Sequence, residues 1–204
     1  MKIDQGKEGT RAVPAFDRVH RFYDAYMRVT GIYREKLIAK LLSLKGTERV
    51  VDLGGGTGWV ARYLAPQCGE IYVLDESAGM LSHAGGHRSV RIVKANALAT
   101  PFPDSYFDVA VLSDVLHHVA DQETLLGEAH RILRPKGRLL IYDFDADHPG
   151  ARLSRWFEAR LFGQLYCRNL VWVEQLLAEK GFDAVKGIVR GHRYIIIREK
   201  REAS

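Results

Sequence analysis

The sequence predicts an α/β domain, a three-layer sandwich with helices on both faces of a mostly parallel sheet and an antiparallel hairpin at the C-terminal end. Three observations predict it. Short apolar runs alternate with helical patterns from residue 50 to residue 144. A glycine-rich turn, Asp52-Leu53-Gly54-Gly55-Gly56-Thr57-Gly58, joins the first apolar run to the helical pattern that follows. Two β-rich runs, residues 182–189 and 192–197, end the fold with Gly191 between them.

The elements follow in order. Residues 1–14 are polar and glycine-bearing, which predicts a loose segment that orders when a ligand binds. Phe16, Val19, Phe22, Tyr23, Tyr26 and Met27 recur at helical spacing over residues 15–29. That helix serves either simple packing or a lid over a ligand. Residues 33–44 form a second amphipathic helix with Leu37, Ile38, Leu41 and Leu42 on one face, and Gly46 follows as its stop. After the first strand and the glycine turn, a helix over residues 57–65 stops at Pro66. Ile71-Tyr72-Val73-Leu74 is a strand ended by Asp75. A helix over residues 77–84 and a strand over residues 91–95 come next, followed by Asn96-Ala97-Leu98.

Val109-Ala110-Val111-Leu112 is apolar throughout, as a buried parallel strand should be. Asp121 caps a helix over residues 122–133, which is broken at Leu133-Arg134-Pro135-Lys136-Gly137-Arg138 before a strand over residues 139–144. Trp156, Phe157, Phe162 and Tyr166 lie on a further helix, read either as surface packing or as a lid over an acceptor. A last helix, residues 170–180, stops at Gly181.

At 204 residues the chain is one domain, divided here into an N-terminal helical lid or cap, residues 1–45, and a core, residues 46–204. Hydrophobic residues are 47% and charged residues 27%, ordinary for a globular protein. No stretch approaches the roughly 20 apolar residues of a membrane span. Met1-Lys2-Ile3-Asp4-Gln5-Gly6-Lys7 lacks the apolar core of a secretory signal, so a cytoplasmic location is expected. Cys68 and Cys167 form no Cys-x-x-Cys pair, which argues against zinc and dithiol chemistry. The net charge of +5 permits an anionic partner, but the basic residues are dispersed, as on a solvated surface, and nucleic acid is not expected.

The glycine turn departs from two phosphate-binding patterns. Trp59 stands where a dinucleotide fingerprint needs its last glycine, and no Gly-Lys-Ser/Thr ending is present. Glycine lets the backbone turn sharply and lie against a ligand, and the N–H groups at the helix start suit an electronegative group. Asp75 lies roughly 20 residues beyond, where a βαβ unit places a carboxylate on ribose hydroxyls; a solvated helix cap is the other reading of it.

Asp52-x-Gly54-x-Gly56-x-Gly58 resembles the first motif of class I S-adenosylmethionine-dependent methyltransferases. Asp75-Glu76-Ser77-Ala78-Gly79-Met80-Leu81 resembles their Asp-x-Ser-x-x-Met-Leu run. Pro101-Phe102-Pro103-Asp104-Ser105-Tyr106-Phe107-Asp108 and the block from Leu133 to Ile141 are similar to two further family segments. Phe16-Asp17 with Phe22-Tyr23-Asp24 resembles the N-terminal stretch of the ubiquinone/menaquinone C-methyltransferases, which helps close the cofactor pocket there. The resemblance implies a Rossmann-like seven-stranded sheet with the last strand antiparallel.

It also implies methyl transfer from S-adenosylmethionine, giving S-adenosylhomocysteine. Asp52, Gly54, Gly55, Gly56 and Gly58 would approach the methionine portion, and Asp75, with Glu76 and Met80 in the same run, would hold the ribose. Asn96 and Ala97 would meet the adenine edge, and Ser113 would line the pocket. Asn96 departs from the family's usual acid, although an amide oxygen still accepts from an exocyclic amine.

On the acceptor side, Tyr23, His117 and Asp143 are the candidates for catalysis. His117 and His118 lie at a strand's C-terminal end, where ligands sit in open α/β sheets, and serve either as a base or to shape the pocket. Asp143, Asp145, Asp147 and His148 read as a solvated loop, and no metal is expected. The expected acceptor is a small molecule, with a quinone-like or phenolic ring one candidate. The rival readings are a protein that binds S-adenosylmethionine without turnover, a nucleic-acid methyltransferase, and a nicotinamide oxidoreductase.

Overall fold

The computed structural model describes residues 13–29 and 34–202. Residues 1–12, expected to be loose, and Tyr33 lie outside the described residues, as do the side chains of Pro14, Val19, Phe22 and Tyr26.

The strands are β1 (Arg49–Leu53), β2 (Glu70–Asp75), β3 (Val90–Lys94), β4 (Phe107–Ser113), β5 (Leu133–Phe144), β6 (Phe182–Arg190) and β7 (Arg193–Lys200). They form one seven-stranded sheet in the order β3-β2-β1-β4-β5-β7-β6. The first five pair in parallel, and β7 runs antiparallel between β5 and β6. This is the predicted Rossmann-like three-layer sandwich with its terminal antiparallel hairpin. The hairpin's last strand is inserted beside β5, which leaves β6 at the edge.

Successive strand residues point to opposite faces, so uninterrupted apolar runs feed both layers. Val51, Leu53, Ala110, Leu112 and Ile141 pack on one side with Leu125, Leu126, Val173 and Leu177 of α5 (Gln122–Ile132) and α7 (Leu170–Glu179). Val50, Ile71, Val109, Val111 and Leu140 pack on the other with Ile38, Leu42, Val60 and Leu64 of α2 (Glu35–Leu42) and α3 (Trp59–Leu64). Each fully buried aliphatic side chain contributes about 1.5–3 kcal/mol.

Helix ends differ from the sequence reading for local reasons. α2 stops on Ser43, which takes the left-handed conformation (φ 46°) ahead of Gly46. Pro66 sits inside a 3-10 turn, Ala65–Gln67, that continues α3, because a proline near the start of a turn loses no needed N–H. α4 (Ala78–Leu81) is a single turn capped by the Ser77 hydroxyl, which accepts from the Met80 N–H at 3.0 Å. The predicted break at residues 133–138 lies within β5. Leu133 pairs with Phe107, the chain turns through Lys136 (φ 61°), and pairing resumes at Arg138 with Val109. α1 (Val13–Val29) crosses the sheet's C-terminal end, and α6 (Ala151–Phe162) follows β5. Among the described helices, none is long and apolar enough to cross a membrane.

Candidate functional site

β1 is flanked by β2 and β4, so the chain reverses its direction of winding there, and a crevice opens at the carboxyl ends of those strands. It forms a cavity of about 940 Å³, its mouth included. Asp52, Gly54, Gly55, Gly56, Asp75, Glu76, Met80, Asn96, Ala97, Ser113 and Tyr23 all line it. Gly58, His117 and Asp143 do not.

The three alternate glycines hold positive φ angles, 70° at Gly54, 54° at Gly56 and 69° at Gly58. A Cβ on Gly56 would lie 2.9 Å from the Met80 methyl, and one on Gly54 2.7 Å from Val115. Gly58 caps α3, and its Cβ would press on the Ala84 backbone at 3.1 Å, so this glycine permits helix packing and touches no cavity.

The backbone N–H groups of the glycine turn are engaged at four positions, of which only Gly58, the cap of α3, belongs to the helix start expected to offer them. Gly54 and Gly55 donate to the Leu74 carbonyl at 2.7 and 3.1 Å, Gly58 to Gly55, and Gly56 to the Asp75 carboxylate. What the turn presents at those positions is bare Cα surface, close enough for a ligand to lie against. Beneath it Asp52 is buried with one carboxylate oxygen unpartnered. Burial, then the nearby Asp75 charge, pushes its carboxyl up to about 7.

Asp75 is fixed by two backbone donors. Its Oδ2 accepts from the Gly56 N–H at 2.9 Å and its Oδ1 from the Ser77 N–H at 2.8 Å. Each oxygen keeps a lone pair for a ligand hydroxyl. Burial raises the carboxyl above its ordinary value, against those two donors. Asn96 accepts from the Leu98 N–H at 2.7 Å through its side-chain oxygen, so the oxygen expected to meet an adenine amine is already engaged once.

Phe16, Tyr23 and His118 give the cavity an aromatic lining. Phe16 stacks on Phe162 of α6 at 4.7 Å between centroids and meets the His118 ring edge-on at 5.1 Å. Tyr23 meets Phe16 and Phe162 edge-on at 6.1 and 6.2 Å. Two aspartates bind α1 to the core. Asp24 accepts from the Thr57 hydroxyl at 2.5 Å and pairs with Arg62 at 3.5 Å. Asp17 accepts from the Ser77 hydroxyl and from the Gly79 N–H. The resemblance of Phe16-Asp17 and Phe22-Tyr23-Asp24 marked both aspartates, but their partners, far away in the chain, were not legible in the sequence.

His117 and Asp143 belong to a buried ion cluster behind the cavity wall. The His117 Nδ1 lies 2.7 Å from Asp143, and its Nε2 lies 2.7 Å from Glu158 of α6, the latter an ion-pair contact without in-line hydrogen-bond geometry. Burial opposes the imidazolium, but Asp143 and Glu158 hold His117 well above the ordinary range. Arg193 donates to Asp114 at 2.7 Å and lies 3.8 Å from Glu158. Both His117 nitrogens face carboxylates, and His117 belongs to two trios whose ligand atoms lie within 4.8 Å of one another, His117-His118-Glu158 and Asp114-His117-Asp143.

His118, which lines the cavity, is the histidine at the site. Burial and the neighbouring His117 charge hold it well below the ordinary range, as a neutral ring. Sequence periodicity does not decide which of two adjacent histidines faces inward, because the Leu116–His118 turn is a 3-10 segment with its own pitch.

Residues 51–141 match the methyltransferase domain family. The chain is 37% identical over 123 residues to the ubiquinone/menaquinone biosynthesis C-methyltransferase UbiE of Francisella tularensis subsp. novicida, covering 55% of this chain and 49% of that protein. It is 30% identical over 156 residues to the UbiE of Stutzerimonas stutzeri, covering 70% and 61%. The chain thus spans about half or a little more of the length of these relatives. A solved methyltransferase of Thermotoga maritima, described as S-adenosylmethionine-dependent and a possible histamine N-methyltransferase, has the same fold, with a TM-score of 0.76, 21% identity, and coverage of 92% of this chain and 99% of that one. Haemonchus contortus phosphoethanolamine N-methyltransferase 2, solved with S-adenosylmethionine, gives a TM-score of 0.68 at 18% identity, covering 78% and 50%. With the glycine turn, Asp75 and the seven-stranded sheet in place, residues 51–141 carry a methyltransferase domain, and the chain is similar to the UbiE-like class I S-adenosylmethionine-dependent methyltransferases.

Proposed function

We propose that this chain transfers a methyl group from S-adenosylmethionine to a ring carbon of a small aromatic acceptor of the quinone or phenol type. One juxtaposition carries the reading. A carboxylate fixed by two backbone N–H groups and the aromatic side chains of Phe16, Tyr23 and His118 line a single cavity. The similarity to C-methyltransferases supports carbon as the methylated atom.

The residues lining the cavity suit the chemistry of the cofactor. Asp75 would hold the ribose diol, Ala97 and Asn96 would border the adenine, and Gly54 to Gly56 would lie against the methionine portion above Asp52. When bound, the cofactor supplies an electrophilic methyl on a sulfonium, and a neutral thioether departs. The protein's part is alignment and exclusion of water, worth up to about 7–11 kcal/mol where the approach is well oriented. α1 acts as the lid that completes the aromatic wall. An aromatic carbon that gains a methyl group must lose its proton, and in this scheme the neutral His118, which lines the cavity, takes it, in the role first given to His117. His117 and Asp143 are positioning residues in this scheme.

Calorimetric titration with S-adenosylmethionine, S-adenosylhomocysteine and NAD, with Asp75→Ala as control, tests the cofactor. Micromolar binding of both adenosyl ligands, lost in the variant, is expected. A preference for NAD refutes the reading. Incubation of the bound form with hydroquinones and phenols, followed by mass spectrometry, then tests the acceptor, and the expected product gains one ring methyl.

A further inference from the structure

The α6 helix is inverted relative to an ordinary surface helix. Its inward stripe is Ala151, Glu158 and Phe162, with Glu158 buried against His117. Its outward stripe is Leu153, Trp156, Phe157 and Leu161, exposed by 66, 61, 48 and 41%. These four recur at i, i+3, i+4 and i+8, the spacing by which a helix normally turns an apolar face to the core. Here that face meets solvent. A contiguous exposed patch of large apolar side chains marks an interaction surface.

The charge on the helix identifies the partner. Arg152, Arg155 and Arg160 are exposed around the apolar stripe, and among the described residues none of the three is in a salt bridge. The one acid of the helix, Glu158, points inward. Arg152, Arg155 and Trp156 also border a shallow groove that suits an anionic headgroup. Self-pairing of two copies about a twofold axis would set this arginine-bearing face against itself, which like charges oppose.

We infer that α6 docks the protein on an anionic lipid surface, with Leu153, Trp156, Phe157 and Leu161 entering the headgroup boundary and the three arginines at phosphate level. An amphipathic helix with aromatic and aliphatic side chains on one face and cations beside them lies in the membrane interface in this way. The inner side of the same helix carries Phe162, which stacks on Phe16, a residue that lines the cavity. The inference stands independently of the reaction.

Co-sedimentation with vesicles tests it, using phosphatidylcholine alone and phosphatidylcholine with phosphatidylglycerol at about 3:1. The full chain should bind the anionic vesicles and bind pure phosphatidylcholine far more weakly. Trp156→Ser with Phe157→Ser should weaken binding at least tenfold, and a variant carrying Arg152→Gln, Arg155→Gln and Arg160→Gln should weaken it roughly a hundredfold, at about fivefold per cation. All the altered side chains are exposed, and circular dichroism should show both variants folded. Blue-shifted Trp156 fluorescence on anionic vesicles, judged against Trp156→Phe, should accompany binding. Absence of binding by the unaltered chain, or binding that both variants retain, overturns the inference. So does a dimer in light scattering that Trp156→Ser dissociates, which would assign the face to a second copy.

Discussion

Asp75→Asn keeps the size and shape of the side chain and changes only its hydrogen-bonding character. In the structure both carboxylate oxygens accept backbone N–H groups, from Gly56 at 2.9 Å and from Ser77 at 2.8 Å. An amide has one acceptor and one donor end. Whichever way it is turned, its NH2 faces one of those N–H groups, and a partly buried donor loses its acceptor. That costs about 1–3 kcal/mol without any ligand, which in a domain of this size lowers Tm by roughly 2–12 °C. The same donor end also meets one hydroxyl of the ribose, where a bond to a charged acceptor worth about 1.5–3 kcal/mol is lost, roughly 10- to 150-fold in affinity. Scanning calorimetry of the ligand-free protein reads the first effect, and titration with S-adenosylhomocysteine reads the second. Asp75→Ala, which removes both acceptors, should exceed Asp75→Asn in each. A Tm within about 1 °C of the unaltered protein would refute the assignment of a doubly anchored carboxylate. A Tm that falls while affinity holds would leave the anchoring and remove the ribose contact.

Three further predictions concern the core of the site. Gly54→Ala forces a side chain into φ 70° and against Val115 at 2.7 Å, so at least about 1–2 kcal/mol should be lost in urea unfolding, partly restored by Val115→Ala. Arg193→Met leaves Asp114 and Glu158 buried without their cation and should cost about 3–5 kcal/mol at pH 7, with Asp114→Asn in the same chain recovering part. Arg193 holds the Asp114 carboxyl below its ordinary value despite burial, so this stability is present above the unfolded carboxyl's pKa and is lost as pH falls through the lower folded value. The deficit of Arg193→Met should therefore shrink on acidification. Asp52 has the opposite sign. Burial lifts its carboxyl from 3.8 to about 7, so the folded state binds the extra proton and stability falls as pH rises between those values. The difference amounts to roughly 4 kcal/mol, and Asp52→Asn should abolish that slope; a variant with an unchanged pH profile would show that Asp52 titrates normally.

What the sequence determined by itself is local and periodic. Uninterrupted apolar runs such as Val109 to Leu112 announce strands buried on both faces, and the alternation of such runs with helices announces a parallel sheet. The glycine turn and Asp75 were legible because a positive φ demands glycine and because a βαβ unit fixes the distance between its two strand ends. The hairpin was legible in Gly191 between two β-rich runs, although not its insertion of β7 beside β5, which long-range pairing sets.

Only the tertiary structure decided which side chains meet across elements far apart in the chain. His117 and His118 are neighbours in sequence, yet the folded chain turns one toward Asp143 and Glu158 and the other into the cavity. Glu158 looks like a solvated helix residue until α6 packs against α1 and the 3-10 turn and brings it to His117 and to Arg193 of β7. The outward apolar stripe of α6 has the same spacing as an inward one, because periodicity fixes the angle between side chains on a helix and leaves open which angle faces the core.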